Sequence, residues 1–167
     1  ILKAIETGET VAVYGDYDVD GVSSTVIALE LAQQSGAAEA VYYIPDRRSE
    51  GYGLHPANMR RIIADGFDTL VVADCGSKDV EAVALARAAG MDFDHHAVEG
   101  DIVRLDSLVN PQMDGDAEAK RLCATAVLWC WAWQSHILPE SRLAGMLQLA
   151  ALATVSDCMP LGPLNRS

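Results

Sequence analysis

Three short segments of this sequence, and one helix end, carry the acidic and histidine side chains that could do chemistry. They are Asp16, Asp18 and Asp20 in the run GDYDVDG, Asp74 in DCG, Asp94, His95 and His96 in DHH, and Asp157 in VSDCMP. Carboxylates that lie close together repel one another unless a cation neutralises them or a proton is taken up. Carboxylates suit Mg²⁺, whereas carboxylates mixed with imidazole suit Mn²⁺. If the segments converge, about five or six ligands could hold two cations, the arrangement that activates a water for phosphoryl displacement. We therefore predict a two-metal phosphoesterase.

Each segment also has a simpler interpretation. In an extended chain Asp16, Asp18 and Asp20 would point to the same side, but an acidic loop without a cation is also common. An EF-hand is excluded because its last ligand position does not hold a glutamate here. Asp74 could merely cap the next helix, and Asp157 could lie in solvent. Neighbouring histidines on an extended chain point in opposite directions, so we expect one to be a metal ligand and the other to face substrate or support a ligand.

The elements that must position these residues alternate between strands and helices. Apolar runs predict strands at residues 10–14, 40–44 and 69–73, a very short strand at 91–93 and an edge strand at 108–109. Helices are expected at residues 22–34, 55–64, 78–89, 119–136 and 141–156. This alternation is typical of an open parallel sheet, whose functional crevice lies at the carboxyl ends of the strands. We therefore predict an α/β fold, an open parallel β-sheet flanked by helices with a helical C-terminal part, in one domain over residues 1–167.

Composition narrows the classes of function. The chain has 167 residues, 50% of them hydrophobic, and 24 acidic against 12 basic side chains give a net charge of −12 at pH 7. This excess of negative charge argues against a domain that binds nucleic acid through a large positively charged surface, but it allows a nucleic-acid enzyme whose carboxylates hold cations. The 4 cysteines form no CxxC pair, so reduced thiols in a cytoplasmic protein are expected. The apolar stretches fall short of the roughly 20 residues that cross a bilayer, so no membrane partner is predicted.

Taken together, the motifs resemble those of the DHH phosphoesterases. The run GDYDVDG at residues 15–21 is followed in order by SEGYGL at 49–54, DCG at 74–76, DHH at 94–96, VNP at 109–111 and ATVSDCMPL at 153–161. The motifs are most similar to those of the RecJ-like branch, the single-strand-specific exonucleases, and the match spans nearly the whole chain. It differs before Asp94, where RecJ-like proteins carry several more apolar residues in a central strand.

The resemblance implies a hydrolase that needs two Mn²⁺ or Mg²⁺ ions and degrades single-stranded DNA from the 5′ end, in DNA repair and recombination. It also assigns roles to five residues. Asp18 and Asp20 would each favour one metal, and Asp74 would bridge both. His95 and Asp157 would complete the second metal site.

Further residues are expected at the site or at its substrate. By the same resemblance, Asp16 would be a metal ligand or near-ligand, and His96 would lie near the scissile phosphate. Arg47 and Arg48 could contact phosphates, although a solvated loop fits their sequence equally well. Tyr52, which stands between two glycines, could stack on a base or merely form a turn.

Two other functions stay open. One is a DHH phosphatase or nanoRNase that acts on small phosphate substrates, and the RecJ-like SEGYGL segment argues against it. The other is a catalytically silent scaffold in a replication assembly, and the filled acidic and histidine positions argue against that. The resemblance further implies a fragment that lacks the downstream DHH-associated and oligonucleotide-binding domains. Its implied partners are single-stranded nucleic acid and replication or repair proteins.

Overall fold

One parallel sheet of five strands forms the centre of the computed structural model, which describes residues 8–76, 78–96, 107–109, 111 and 117–166. The strands are β1 (Thr10–Tyr14), β2 (Glu39–Tyr43), β3 (Thr69–Ala73), β4 (Asp92–His96) and β5 (Ser107–Val109). Their order across the sheet is β2-β1-β3-β4-β5, and every neighbouring pair runs parallel. The predicted α/β open parallel sheet is therefore confirmed.

The strand order places a topological switch point between β1 and β3. The chain moves from β1 outward to β2 and then returns to β3 on the other side of β1. The connections that leave β1 and β3 therefore diverge and open a crevice at the carboxyl ends of these two strands. In open α/β sheets ligands bind at this kind of crevice, so β1 and β3 are the strands whose ends matter most here.

Within the described residues, five α-helices cover both faces of the sheet. They are α1 (Val19–Ser35), α2 (Pro56–Ala64), α3 (Val80–Ala88), α4 (Ala124–Ser135) and α5 (Glu140–Ser156), with one-turn 3₁₀ helices at Ala119–Arg121 and Leu164–Arg166. Alternate side chains of a strand point to opposite faces. Val11 and Val13 accordingly pack with α1, α4 and α5, whereas Ala12 and Tyr14 pack with α2 and α3. Both faces of β1 and β3 are covered, which explains their continuous apolar sequences.

The strand predictions are confirmed at β1 and β3, which span the predicted residues 10–14 and 69–73, while β2 lies one residue earlier than predicted. The predicted short strand at residues 91–93 is wrong in extent, because the DHH triplet continues it to His96. Residues 94–96 pair with 71–73 of β3 and with 107–109 of β5. Pairing on both sides satisfies the backbone of the triplet within the sheet, so the histidines belong to β4 itself.

Two helices begin three or more residues from the predicted position, whereas the other three begin within two residues of it. α1 begins at Val19 instead of residue 22, because Asp18 already caps its first turn. α4 begins at Ala124 instead of residue 119, after a separate 3₁₀ turn. Among the described helices, none is both long enough and apolar enough to cross a bilayer.

Candidate metal centre

Three carboxylates meet in the crevice between β1 and β3. Asp16 lies two residues beyond β1, and Asp74 follows β3 directly. Tyr14 is paired in register with Val72, so the two strands end at nearly the same level of the sheet. One oxygen each from Asp16, Asp18 and Asp74 lies within 4.8 Å of the others. The structure therefore brings together three of the predicted metal ligands in a set that we call the acidic cluster.

Asp16 is the most deeply buried member of the acidic cluster. Its residue is 0% exposed, and neither carboxylate oxygen makes a hydrogen bond of good geometry with a described residue. Burial raises the pKa of Asp16, the backbone N–H of Tyr17 offsets part of that rise, and the charge of Asp18 adds to it. A buried carboxylate without donors is rare and costly in a folded protein. A divalent cation in the crevice would compensate it, so these oxygen ligands fit Mg²⁺ or Mn²⁺.

Asp74 is held close to other carboxylates by an unusual backbone turn. Its φ of +62° is left-handed, a conformation that aspartate tolerates better than most residues. Burial raises the pKa of Asp74 to about 9, and the charges of Asp20, Asp18, Asp157 and Asp16 add to the effect. At neutral pH the carboxyl therefore keeps a proton unless a cation takes its place.

The expected extended geometry of residues 16–20 is wrong, because a helix begins inside the motif. Asp18 is the N-cap of α1, and its Oδ1 accepts the N–H of Gly21 at 2.8 Å. Asp20 lies in the first turn of α1 and is 1% exposed. Its two oxygens accept the N–H groups of Ala124 at 2.7 Å and Thr125 at 2.8 Å. Asp20 thus caps α4, a connection between distant segments that the sequence pattern does not reveal.

Asp20 and Asp157 lie next to the acidic cluster, outside the group of three. Asp157 is the C-cap of α5. The residue is exposed, yet its pKa is raised to about 6, first by partial desolvation of the carboxyl and then by the charges of Asp20 and Asp18. Asp157 also raises the pKa of Asp74. The charges of Asp157, Asp20 and Asp74 thus influence one another, while the place of Asp157 in the crevice and its role as a ligand stay predictions.

The DHH triplet is placed by its backbone. His96 is paired in register with Ala73, the residue before Asp74, and His95 is paired with Val72. The end of β4 therefore lies level with the end of β3 and next to it. The side chains of residues 92–96 lie outside the described part of the structure, so the roles predicted for His95 and His96 stay predictions.

The predicted substrate-contacting residues lie at different distances from the acidic cluster. The Arg47 guanidinium lies 5.2 Å from the centre of the Tyr17 ring, and its charge lowers the pKa of Asp16 slightly. Arg48 is exposed, in a turn where its backbone N–H donates to Asp46 at 2.9 Å. Tyr52 donates its hydroxyl hydrogen to the Asp74 carbonyl oxygen at 3.3 Å. Arg47 and Tyr52 thus border the acidic cluster, while the contacts of Arg48 belong to the outer loop.

Sequence reasoning missed three residues that support this region. Asp79 accepts the backbone N–H of Leu54 at 2.8 Å, and Tyr14 donates its hydroxyl hydrogen to Gly53 at 3.0 Å. Asn58 in turn donates to the hydroxyl oxygen of Tyr14 at 3.2 Å. The available signal was the position of Asp79 just before a helix, which predicts an N-cap but not a contact with the SEGYGL segment.

Comparison with known proteins identifies the family. The model of the DHH family, N-terminal domain, matches residues 10–154. The single-stranded-DNA-specific exonuclease RecJ of Bacillus subtilis (strain 168) is 34% identical over 170 residues, which cover 99% of this chain and 21% of that protein. RecJ of Escherichia coli (strain K12) is 28% identical, over 99% of this chain and 32% of its own length. This chain thus spans about a fifth to a third of these curated relatives.

Solved structures give the same result. A manganese-bound exonuclease RecJ superposes with a TM-score of 0.79 at 25% identity and covers 98% of this chain and 43% of that one. CDC45 from Entamoeba histolytica has a TM-score of 0.63 at 12% identity, over 94% of this chain and 31% of its own, which is a likeness of fold alone. The DHH family model covers most of the chain, and the acidic motifs lie at the carboxyl ends of the strands of this chain. The chain therefore belongs to the DHH family.

Proposed function

We propose that this chain is the metal-binding catalytic domain of a RecJ-like exonuclease, which hydrolyses phosphodiester bonds of single-stranded DNA from the 5′ end. The observation that carries the proposal is the acidic cluster at the switch point, with a buried and uncompensated Asp16 beside an Asp74 whose pKa is raised to about 9. The RecJ structures that resemble this chain contain Mn²⁺ or Mg²⁺. A role in DNA repair and recombination, in contact with replication or repair proteins, is part of the same proposal.

In this proposal the predicted ligands form two neighbouring cation sites. Asp16, Asp18 and Asp74 would hold the first, and Asp74 would be shared with a second that Asp20, His95 and Asp157 complete. Bound divalent cations polarise phosphoryl oxygens and lower the pKa of a coordinated water. The protein's own contribution is to keep Asp74 deprotonated only when cations are present, because its pKa lies well above neutral pH in their absence.

Residues around the acidic cluster would place the DNA strand. The exposed ring of Tyr52 offers a surface on which a base can stack. Arg47, and more distantly Arg48, would contact phosphates, and His96 at the end of β4 would face the scissile phosphate. The chain carries 12 basic against 24 acidic side chains, so its net charge repels the DNA phosphates and does not attract them. We expect binding to depend on the cations and on these few contacts.

The deciding experiment compares substrates side by side with Mn²⁺. Single-stranded DNA labelled at the 5′ or the 3′ end, the same DNA as a duplex, short oligoribonucleotides and pyrophosphate would each be incubated with the protein, and with EDTA as control. The proposal expects mononucleotides from the 5′ end of single strands and no product in EDTA. Preferred hydrolysis of pyrophosphate or short oligoribonucleotides would instead indicate a small-substrate phosphatase. Mn²⁺ binding without any hydrolysis would indicate a silent scaffold.

A further inference from the structure

The ring of Tyr52 lies open to solvent beside the acidic cluster, in a turn of unusual shape. Its two neighbours, Gly51 and Gly53, have left-handed backbone conformations, with φ of +82° and +94°. The Tyr52 residue is 59% exposed, while its hydroxyl donates to the carbonyl oxygen of Asp74 at 3.3 Å. The ring is thus accessible to a ligand and tied at its far end to the segment that carries a predicted metal ligand.

Asp79 supplies the hydrogen bond that fixes one side of this turn. It occupies the N-cap position of α3, where an aspartate usually accepts an N–H of its own helix, yet its side chain makes no such bond. Its Oδ2 instead accepts the N–H of Leu54 at 2.8 Å. A Cβ atom on Gly53 would lie only 3.2 Å from the same carboxylate. The turn and the carboxylate are therefore in close contact, and the bond serves the turn and not the helix.

The buried side of the turn is fixed as well. The hydroxyl of Tyr14 donates to the Gly53 carbonyl at 3.0 Å, and Asn58 donates to that hydroxyl at 3.2 Å. Asp79 is itself anchored, because its backbone N–H donates to the carbonyl of Gly76 at 3.1 Å. Asp74 and Asp79 are therefore each joined to the turn around Tyr52, Asp79 through its carboxylate and Asp74 through its carbonyl oxygen, which accepts from the Tyr52 hydroxyl.

We propose that Asp79 is a positioning residue that holds the Tyr52 ring at a fixed distance from the acidic cluster, so that a nucleobase stacks on the ring while the adjoining phosphate reaches the cations. This inference rests on the proposed function. Stacking on an aromatic ring tolerates every base, so the turn determines where a single strand lies and not which sequence is bound. Without the carboxylate the Leu54 N–H loses its acceptor, and a turn built on two glycines is free to shift.

The test measures binding of a fluorescein-labelled, phosphorothioate-linked oligo(dT), which resists hydrolysis, by anisotropy in the presence of Mn²⁺. Tyr52→Ala should weaken binding about tenfold, or about 1.4 kcal/mol. Asp79→Ala should weaken it by a similar factor, whereas Asp79→Asn, which keeps an acceptor oxygen, should bind within about twofold of wild type. In the Tyr52→Ala background, Asp79→Ala should change the affinity by less than about twofold, because the effect passes through the ring. Calorimetric Mn²⁺ affinity should be the same in all variants.

The double variant distinguishes positioning from a general loss of structure. If Asp79→Ala weakens binding equally with and without the Tyr52 ring, or does not weaken it at all, Asp79 does not act through Tyr52 and the proposal is wrong. If Asp79→Ala fails to fold, Asp79→Glu, which keeps the charge but moves the carboxylate away from its position at the Leu54 N–H, gives the same comparison with and without the Tyr52 ring. A wild-type protein that binds no single strand would overturn the proposed function itself, which is seen before any variant is compared.

Discussion

Replacing Asp74 by asparagine should stabilise the cation-free protein and remove most of its response to Mn²⁺. Burial and the charges of neighbouring carboxylates raise the pKa of Asp74 to about 9. At pH 7 the folded state therefore holds a proton that the unfolded chain has released. Folding must take up this proton from a solution in which it is scarce, which lowers the free energy of unfolding. Asparagine keeps the shape of the protonated carboxyl and removes this cost.

The size of the effect follows from the pKa of Asp74. At pH 7, against the ordinary value of 3.8, the rise suppresses ionisation over about 3 pH units, which corresponds to at most roughly 4 kcal/mol. Solvent reaches part of the carboxyl, so we expect about 1–4 kcal/mol, or a rise in Tm of roughly 2–15 °C for a chain of this length. The destabilisation by Asp74 is absent below about pH 4 and complete above about pH 9, so the gain from asparagine should grow across this window.

Thermal melts from pH 4 to 9, in EDTA and in millimolar Mn²⁺, measure both effects. Wild type should gain stability from Mn²⁺, because an ion that binds only the folded state adds RT ln(1+[L]/Kd), while Asp74→Asn should gain little. Asp68→Asn is a matched control with the opposite sign. Hydrogen bonds from the backbone N–H and hydroxyl of Thr10 lower the pKa of Asp68, so the charged carboxylate stabilises the folded state. The variant should therefore melt below wild type at neutral pH and keep the Mn²⁺ response. Equal melting of wild type and Asp74→Asn in EDTA across the pH range would refute the argument from charge crowding, and an undiminished Mn²⁺ response would refute Asp74 as a ligand.

Three further predictions test neighbouring features. Since Mn²⁺ must displace the proton on Asp74, the apparent affinity of the protein for Mn²⁺ should rise by up to about tenfold per pH unit between pH 6 and 9. Calorimetry in buffers of different ionisation enthalpy should detect the released proton. If no proton is released on Mn²⁺ binding, Asp74 is not protonated in the cation-free protein. In EDTA at pH 6, Asp16→Asn should raise Tm, because a neutral amide costs less free energy to bury than an uncompensated carboxylate. Asp20→Asn should instead lower the free energy of unfolding by about 1–2 kcal/mol, because only one oxygen remains to cap α4. Changes of the same sign in the two variants would contradict these different roles of Asp16 and Asp20. Gly15→Ala would put a Cβ 1.9 Å from a threonine hydroxyl and should lower the free energy of unfolding in urea by about 3 kcal/mol or more. Gly145→Ala is the control, because Gly145 lies in α5 and a Cβ there would have no described atom within 4 Å. This variant should leave the free energy of unfolding unchanged or raise it by up to about 1 kcal/mol.

The sheet and the meeting of Asp16 with Asp74 could be predicted because both depend on local sequence and general geometry. β1 and β3 are apolar runs that end in polar, glycine-containing segments, and parallel strands covered on both faces have this pattern. Carboxyl ends of neighbouring parallel strands lie together, so residues just beyond them converge. The register of Tyr14 with Val72 is the structural basis of that convergence.

The place of Asp20 could not be predicted, because its hydrogen-bond partners lie 104 and 105 residues later in the chain. The alternation of the aspartates predicts an extended chain, although Asp18 is a preferred N-cap residue and marks an earlier helix start. The length of β4 cannot be predicted for a related reason. Its sequence DFDHH lacks β-branched residues, so its strand conformation depends on pairing with β3 and β5.

The aspartates at this edge of the sheet differ in what their carboxylates already bind. Asp18 accepts an N–H at the start of α1, Asp20 accepts two at the start of α4, and Asp79 accepts one from the SEGYGL segment. These three carboxylates are compensated by backbone donors, so they keep their positions with or without a cation. Neither oxygen of Asp16 makes a hydrogen bond of good geometry with a described residue, and burial together with neighbouring carboxylates raises the pKa of Asp74 to about 9. The demand for positive charge is therefore concentrated between β1 and β3, where a cation would compensate Asp16 and replace the proton of Asp74 without breaking a hydrogen bond that holds the scaffold.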